Sequence, residues 1–115
     1  MSGITTIKSN RDFKNVYRHG ISFANRSLVL YLLPNRNTGT RFGFSISKKL
    51  GKAVVRNCIR RRLKEICRLN RQWFPAGYDL VIIARHGAVD KDYHYLSKHL
   101  YGLAEKARRK INGGR

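Results

Sequence analysis

Basic side chains are concentrated between Lys48 and Arg71, a stretch with ten lysines and arginines and one acid, Glu65. Guanidinium and ammonium groups bind phosphate oxygens through charge-assisted hydrogen bonds. On an ideal helical wheel, seven polar residues lie within about 140° of one another: Arg56, Asn57, Arg60, Arg61, Lys64, Arg68 and Arg71. An ordinary solvated face is the alternative, but such a face usually mixes charges of both signs. The pattern favours a cationic surface that binds an anionic partner.

The same stretch, Lys48–Arg71, is predicted to form a single helix, and the order of the elements places the basic helix after Gly51. The other side of this helix is expected to pack on the domain. That side carries four aliphatic residues: Val55, Ile59, Leu63 and Ile66. Arg62 falls on the apolar side of the wheel, so we expect it to reach solvent from the edge or to mark a rotated helix. Cys58 and Cys67 lie on nearly opposite faces, which excludes a disulfide between them and predicts free thiols, with Cys67 semi-buried.

Groups that could catalyse a reaction are scattered along the chain. A metal-dependent nuclease needs several carboxylates that converge on the metal ions. The six acids instead lie on separate predicted elements: Asp12, Glu65, Asp79, Asp90, Asp92 and Glu105. The four histidines have no zinc-binding spacing, and no pattern pairs two of them for acid–base catalysis. We therefore predict no catalytic residue, metal ligand or small-molecule site, and any reacting groups would belong to a partner.

The composition indicates one domain spanning residues 1–115, with an ordered core at about residues 8–110. Hydrophobic residues make up 42% of the chain, which argues against disorder. A net charge of +19 implies strong self-repulsion and therefore a polyanionic partner, nucleic acid rather than an anionic membrane. No segment has the length and apolarity of a membrane span. The first eight residues lack the apolar run of a secretory signal, so we expect a cytoplasmic location.

Hydrophobic periodicity and turn residues predict elements in the order α-β-β-β-α-β-α. The first helix begins after Ser9 and ends at Gly20. The other predicted segments are strands at 21–26, 27–33, 41–47 and 78–84, turns at 35–39 and 86–88, the basic helix, and a last helix at 90–110 followed by a frayed tail. Two or three helices packed on one mostly antiparallel sheet form an α+β sandwich.

The run from Gly51 to Glu65 closely resembles the signature helix of the protein subunit of bacterial ribonuclease P. Four further segments are similar to the same family: Asp12–Phe13, Ala24–Arg26, Phe42–Lys49 and Asp79–Arg85. Together these segments place the resemblance over roughly residues 8–110, in the order that the family has them. The resemblance implies an α+β sandwich with a left-handed βαβ crossover, the opposite of the hand that general rules predict.

Family resemblance also implies a function. The family's proteins bind a large catalytic RNA, and this holoenzyme removes the 5′ leader of precursor tRNA with Mg²⁺ ions held by the RNA. The residues implied to contact the RNA subunit are Lys48, Lys49, Lys52, Arg56, Asn57, Arg60, Arg61, Lys64 and Arg68. Those implied to bind the leader are Phe13, Tyr17, Asn25, Arg26, Val29 and Tyr31. Cys58 stands where the family has a basic residue, so one contact is expected to be missing or supplied by a neighbour.

Alternatives stay open at this point. A ribosomal or ribosome-assembly protein has the same charge, size and α+β build and would bind structured RNA with no role in cleavage. A DNA-binding architectural protein would need a groove-reading helix, and a broad arginine ridge suits the irregular backbone of a folded RNA better. Within the implied leader site, Phe13, Val29 and Tyr31 could instead be core residues.

Overall fold

The computed structural model describes residues 3–35 and 39–113, which form one sheet covered by helices. The strands of this part of the chain are β1 (Thr5–Thr6), β2 (Ile21–Ala24), β3 (Leu28–Pro34), β4 (Arg41–Ile46) and β5 (Tyr78–Ala84). Its α-helices are α1 (Asn10–His19), α2 (Ala53–Leu69) and α3 (Tyr93–Gly113). Three short 3₁₀ turns lie at Lys48–Leu50, Arg71–Trp73 and His86–Ala88. The α+β architecture predicted from the sequence is confirmed.

The strand order in the sheet is β1-β4-β5-β3-β2. Strand β4 runs parallel to β1 and β5, whereas β3 runs antiparallel to β5 and β2. The sheet is therefore more evenly mixed than the mostly antiparallel sheet that was predicted. From β4 the chain passes through α2 to the parallel neighbour β5, which makes the expected βαβ crossover, and its left hand stays a prediction.

The two faces of the sheet bury different helices. Along β3, Leu28, Leu30 and Leu32 are fully buried in the main core, which also contains the inner residues of α2 and α3. The alternate residues Tyr31 and Leu33 pack instead on a smaller cluster that includes Val16 of α1. Because side chains alternate across a strand, α1 covers one face of the sheet, and α2 and α3 cover the other.

Helix α1 begins and ends where the sequence predicts. The Ser9 hydroxyl accepts a hydrogen bond of 3.0 Å from the Asp12 N–H, which caps the first turn. Gly20 follows the last residue, and its N–H donates to the Val16 carbonyl at 2.8 Å. A Cβ atom at Gly20 would lie 2.6 Å from the Leu32 carbonyl oxygen. Glycine therefore permits the close approach between the end of α1 and strand β3.

The prediction of one helix across Lys48–Arg71 is wrong, because the chain breaks at Gly51, whereas the placement of the basic helix after Gly51 is confirmed. Its φ of 143° is a conformation that L side chains rarely adopt and that ends the preceding 3₁₀ turn. The α-helix then runs only from Ala53 to Leu69, and Arg71 lies in a second 3₁₀ turn. Lys48, Lys49, Lys52 and Arg71 consequently do not belong to the helical wheel of α2.

Other boundaries also differ from the prediction. The sequence analysis missed β1, whose two residues are too few to show an alternating pattern, and the buried Ile7 starts the core before residue 8. Helix α3 begins at Tyr93 instead of residue 90. It continues to Gly113, so the tail is not frayed at 111–113, while 114–115 lie outside the described residues. Strand β2 ends at Ala24 instead of Arg26. Most of the predicted turn at 35–39 also falls outside the described residues.

An ion-pair cluster joins α1 to the sheet. Arg41 donates two hydrogen bonds to the buried carboxylate of Asp79, from Nε at 2.9 Å and from Nη2 at 2.6 Å. Its Nη1 reaches Asp12 of α1 at 3.4 Å. Asn35 Nδ2 donates to Asp79 Oδ1 at 2.8 Å. The hydrogen bond with Asp79 raises the pKa of Arg41, so this guanidinium stays charged and compensates the buried carboxylate.

Replacing Arg41 by Gln is expected to lower the free energy of unfolding by roughly 3 kcal/mol, because it leaves the buried Asp79 carboxylate without its cation. Urea denaturation at neutral pH measures this loss. Arg109→Gln is the control, since Arg109 forms an exposed ion pair with Glu105 on α3 and its loss should cost less than about 1 kcal/mol. Equal effects of the two substitutions would contradict the role assigned to Arg41.

Candidate RNA-binding surfaces

The exposed side of α2 carries what we call the basic ridge, which consists of Asn57, Arg60, Arg61, Lys64 and Arg68. Together with Gly3, Ile4 and Glu65, these five residues line a groove of about 520 Å³ between α2 and the segment before β1. The helical wheel predicted that these five residues share one side of the helix, and the groove that all five line supports this prediction.

The cations of the basic ridge differ in how they are paired. Arg68 donates hydrogen bonds of 3.0 and 2.7 Å to the two Glu65 oxygens, which lower the pKa of Glu65 and raise that of Arg68. Arg60 donates to Asn57 Oδ1 at 3.1 Å. The Arg61 and Lys64 side chains form no hydrogen bond or ion pair within the described part of the chain. These two charges are therefore available to an anionic ligand.

Four further predicted contact residues lie before or at the start of α2. Lys48, Lys49 and Lys52 are exposed, and Ser47 caps their 3₁₀ turn by accepting from the Lys49 N–H at 3.1 Å. Arg56 is half-buried, and its Nε donates to the Gly51 carbonyl at 3.1 Å. Arg56 thus stabilises the break at Gly51, a structural role that the sequence analysis did not identify.

The inner side of α2 packs in the main core. Ile59, Leu63, Ile66 and Cys67 are buried, so Cys67 is more deeply buried than predicted, and burial raises the pKa of its thiol well above the ordinary value. Arg62 is half-buried and donates from Nη1 to the Lys91 carbonyl at 2.7 Å. Its guanidinium is thus held against the segment before α3, whereas the sequence analysis expected it to reach solvent.

Cys58 lies away from the basic ridge. It lines a separate groove of about 400 Å³, formed by α2 and the segment before α3, whose lining residues are Val54, Val55, Cys58, Ile59, Arg62, Asp90, Lys91 and Asp92. A cation at position 58 would therefore face this second groove. The cysteine removes no charge from the groove that the basic ridge lines.

Aromatic side chains line a second surface, on the opposite face of the sheet. The rings of Phe13 and Tyr17 on α1 lie 6.3 Å apart, and Tyr17 meets Tyr31 of β3 edge-on at 5.1 Å. We call the adjoining depression of about 300 Å³ the aromatic groove, which is lined by Asn10, Phe13, Lys14, Tyr17, Phe44 and Ser45. Tyr17, which is 37% exposed, offers the most accessible ring.

Phe13 and Tyr31 also contribute to the core. Both are half-buried and pack on the cluster of Ile7, Val16 and Val81. The Phe13 ring lies directly over Gly43 of β4, where a Cβ atom would come within 2.7 Å of it. Val29 is half-buried on the same face of β3 by register. The alternative that Phe13 and Tyr31 are core residues is therefore partly correct, because both rings are half-buried and pack beneath Tyr17.

Asn25 and Arg26 lie in the turn between β2 and β3. Asn25 Oδ1 accepts hydrogen bonds from the N–H groups of Ser27 at 3.0 Å and Leu28 at 2.9 Å. Its Nδ2 donates to the His99 carbonyl of α3 at 3.1 Å. The Asn25 side chain is thus used to shape the turn and to hold it against α3, whereas Arg26 is exposed. Of these two predicted leader contacts, Arg26 is the accessible one.

The described residues contain no cluster of three or more His, Cys, Asp or Glu side chains that could hold a metal ion. Of the acids, Asp12 and Asp79 pair with Arg41, Glu65 pairs with Arg68, and Glu105 pairs with Arg109. Four of the six acids of this chain are thus held by arginines. No helix of the described chain is both long and apolar enough to span a membrane.

Comparisons with known proteins identify the family of this chain. The family model described as Ribonuclease P matches residues 1–108. The ribonuclease P protein component of Desulforamulus reducens is 52% identical over 101 residues, which cover 88% of this chain and 89% of the relative. That of Clostridioides difficile is 44% identical over 101 residues, with coverages of 87% and 89%.

Solved structures give the same result. The Staphylococcus aureus RNase P protein superimposes with a TM-score of 0.83 at 36% identity and covers 89% of this chain and 94% of its own. The Thermotoga maritima RNase P protein has a TM-score of 0.81 at 28% identity, with coverages of 88% and 96%. The family match, the relatives and the shared fold lead to one conclusion: this chain belongs to the ribonuclease P protein family.

Proposed function

We propose that this protein is the subunit of ribonuclease P that binds the catalytic RNA and the 5′ leader of precursor tRNA, and so assists removal of the leader. The observation that carries this proposal is the pair of surfaces on opposite faces of one sheet. The basic ridge of α2 offers Arg61 and Lys64, which have no partner among the described residues, and the aromatic groove beside α1 offers the exposed ring of Tyr17. One small domain can thus contact two RNA segments at the same time.

The basic ridge suits the RNA subunit. Arg61 and Lys64 have no partner in the part of the chain that the structure describes, and Lys48, Lys49 and Lys52 extend the positive surface toward the start of α2. Cations spread over a helix face neutralise phosphates without reading bases, so affinity should fall steeply with salt. Binding of this kind fits a folded RNA, whose backbone presents phosphates at irregular spacing.

The aromatic groove suits a single-stranded leader. Unpaired bases stack on aromatic rings whatever their identity, which fits a leader of variable sequence. Tyr17 is the ring we assign to stacking, because Phe13 and Tyr31 are held from below by the core. Arg26, exposed in the β2–β3 turn, adds a cation for the leader backbone, and Asn25 positions that turn.

In this proposal the chemical step belongs to the RNA, which holds the required Mg²⁺ ions in the cytoplasm. Four of the six carboxylates of this chain are bound by arginines, which leaves them poorly placed to bind metal ions. The contribution of the protein is then to hold the precursor near the catalytic RNA and to reduce the repulsion between two polyanions.

Cleavage of precursor tRNA at low magnesium tests the proposal. The cognate catalytic RNA alone should cleave slowly, the protein alone should not cleave, and the two together should cleave much faster, because the protein replaces part of the counter-charge that magnesium supplies. Tight binding of the protein to the catalytic RNA without faster cleavage would favour the alternative of a ribosome-assembly or ribosomal protein. Cleavage by the protein alone would place catalytic groups in this chain.

Charge reversal tests the basic ridge. The pair Arg61→Glu and Lys64→Glu should weaken RNA-subunit binding by about tenfold or more and flatten its salt dependence, since each lost phosphate contact lowers the slope by about one. Filter binding at several salt concentrations measures both quantities. The double variant Lys106→Glu and Lys110→Glu on the exposed side of α3 changes the net charge equally and is the matched control. If it weakens binding as strongly as the pair does, the effect comes from net charge and the ridge is not the contact surface.

Removal of one ring tests the aromatic groove. Tyr17→Ala should weaken the affinity of the holoenzyme for leader-bearing precursor by about tenfold, because one base–aromatic stack contributes about that much. The affinity for mature tRNA should not change. Tyr101→Ala is the control, because Tyr101 is 38% exposed against 37% for Tyr17 but lies on α3. Equilibrium titration of the holoenzyme with each RNA gives the ratio of its affinities for precursor and mature tRNA. Equal losses for precursor and mature tRNA would show that Tyr17 does not contact the leader.

A further inference from the structure

The outer side of α1 carries a second group of unpaired cations. Arg11, Lys14 and Arg18 are exposed, and within the described residues their side chains form no hydrogen bond or ion pair. On the helical wheel, Lys14, Arg18, Arg11 and Asn15 follow one another within about 100°. These residues and Asp12 line a depression of about 550 Å³. We call this surface the outer face of α1.

The positive charge of the outer face is not compensated locally. Asp12 is the one acid that lines its depression, and Arg41 already pairs with it. Like charges three, four and seven residues apart repel one another along a helix and lower its stability. A ten-residue helix that keeps three such charges is therefore better explained by an anionic ligand than by solvation alone.

The outer face is continuous with the aromatic groove. Lys14 lines both depressions, and the wheel places it between Tyr17 on the groove side and Arg18 on the outer side. A single strand whose bases lie in the groove can therefore pass over Lys14 onto Arg18 and Arg11. The basic ridge of α2 lies on the other face of the sheet, so the RNA subunit bound there does not need the outer face of α1.

We propose that Arg11 and Arg18 bind the sugar-phosphate backbone of the leader, at nucleotides farther from the cleavage site than those in the aromatic groove. This inference rests on the proposed function of the groove and adds a second, sequence-independent contact to it. Its consequence is a preference for long leaders. A leader that ends within the groove gains only stacking, whereas a longer one also neutralises the outer face.

The test uses the assembled holoenzyme and three RNAs, namely mature tRNA, a precursor whose leader ends in the groove, and a precursor with a longer leader. The variant is Arg11→Gln with Arg18→Gln, and Lys14 is kept because it lines the groove. The matched control is Lys106→Gln with Lys110→Gln, two exposed and unpaired lysines of α3. Helix content by circular dichroism checks that α1 is intact.

For the long leader we expect the α1 variant to bind about fivefold more weakly, with a salt slope reduced by about 1.4, since each single-strand phosphate contact contributes about 0.7. The short leader, mature tRNA and the RNA subunit should bind as before, and the α3 control should change nothing. Equal losses at both leader lengths, or a loss of RNA-subunit affinity, would overturn the inference. So would an affinity of the wild-type holoenzyme that does not increase with leader length.

Failure of this inference is distinguishable from failure of the proposed function. Tyr17→Ala should weaken binding of the short and the long leader alike, because both occupy the groove. If Tyr17→Ala has this effect and the α1 variant has none, only the outer-face contact is refuted. If Tyr17→Ala has no effect on either precursor, the groove itself is not the leader site, and the inference is overturned together with it.

Discussion

The ion pair between Arg41 and the buried carboxylate of Asp79 is the polar contact that ties the sheet to the start of α1. Asp79 is the second residue of the central strand β5 and Arg41 is the first of its parallel neighbour β4, so the pair joins two strands that are distant in sequence. The third nitrogen of Arg41 reaches Asp12 and thereby holds the first turn of α1 over the sheet. The same guanidinium thus contacts both the sheet and the helix whose Phe13 and Tyr17 line the aromatic groove.

Because side chains alternate along the central strands, the two faces of the sheet support different surfaces. One face of β3 and β5 is aliphatic and supports α2 and α3, and the basic ridge stands on that support. The other face carries a smaller cluster around Val16 and Val81, which leaves room for half-exposed rings. A chain of this size buries a smaller share of its surface than a larger domain does. The ring of Tyr17 stays partly exposed and provides a surface on which bases can stack.

Local signals in the sequence predicted local structure well. Ser9 and Gly20 give the ends of α1, and the apolar run of β5 gives Tyr78–Ala84. The exposed positions of α2 from Asn57 to Arg68 follow from helical periodicity, so the basic ridge was predictable. Contacts between distant segments were not: Arg41 meets Asp79 across 38 positions, and Asn25 reaches His99 across 74. The end of α2 at Leu69 also escaped the wheel, because Arg71 continues the basic pattern although it lies in a 3₁₀ turn.

Gly43 and Phe13 occupy a single volume between β4 and α1. The ring takes the space that any side chain at position 43 would need, at 2.7 Å from the missing Cβ atom. A larger residue at 43 is therefore compatible with this helix position only if residue 13 becomes smaller. Across related sequences, the two positions are expected to co-vary, so that a larger residue at 43 accompanies a smaller one at 13. An alignment alone would then reveal how closely α1 packs on β4.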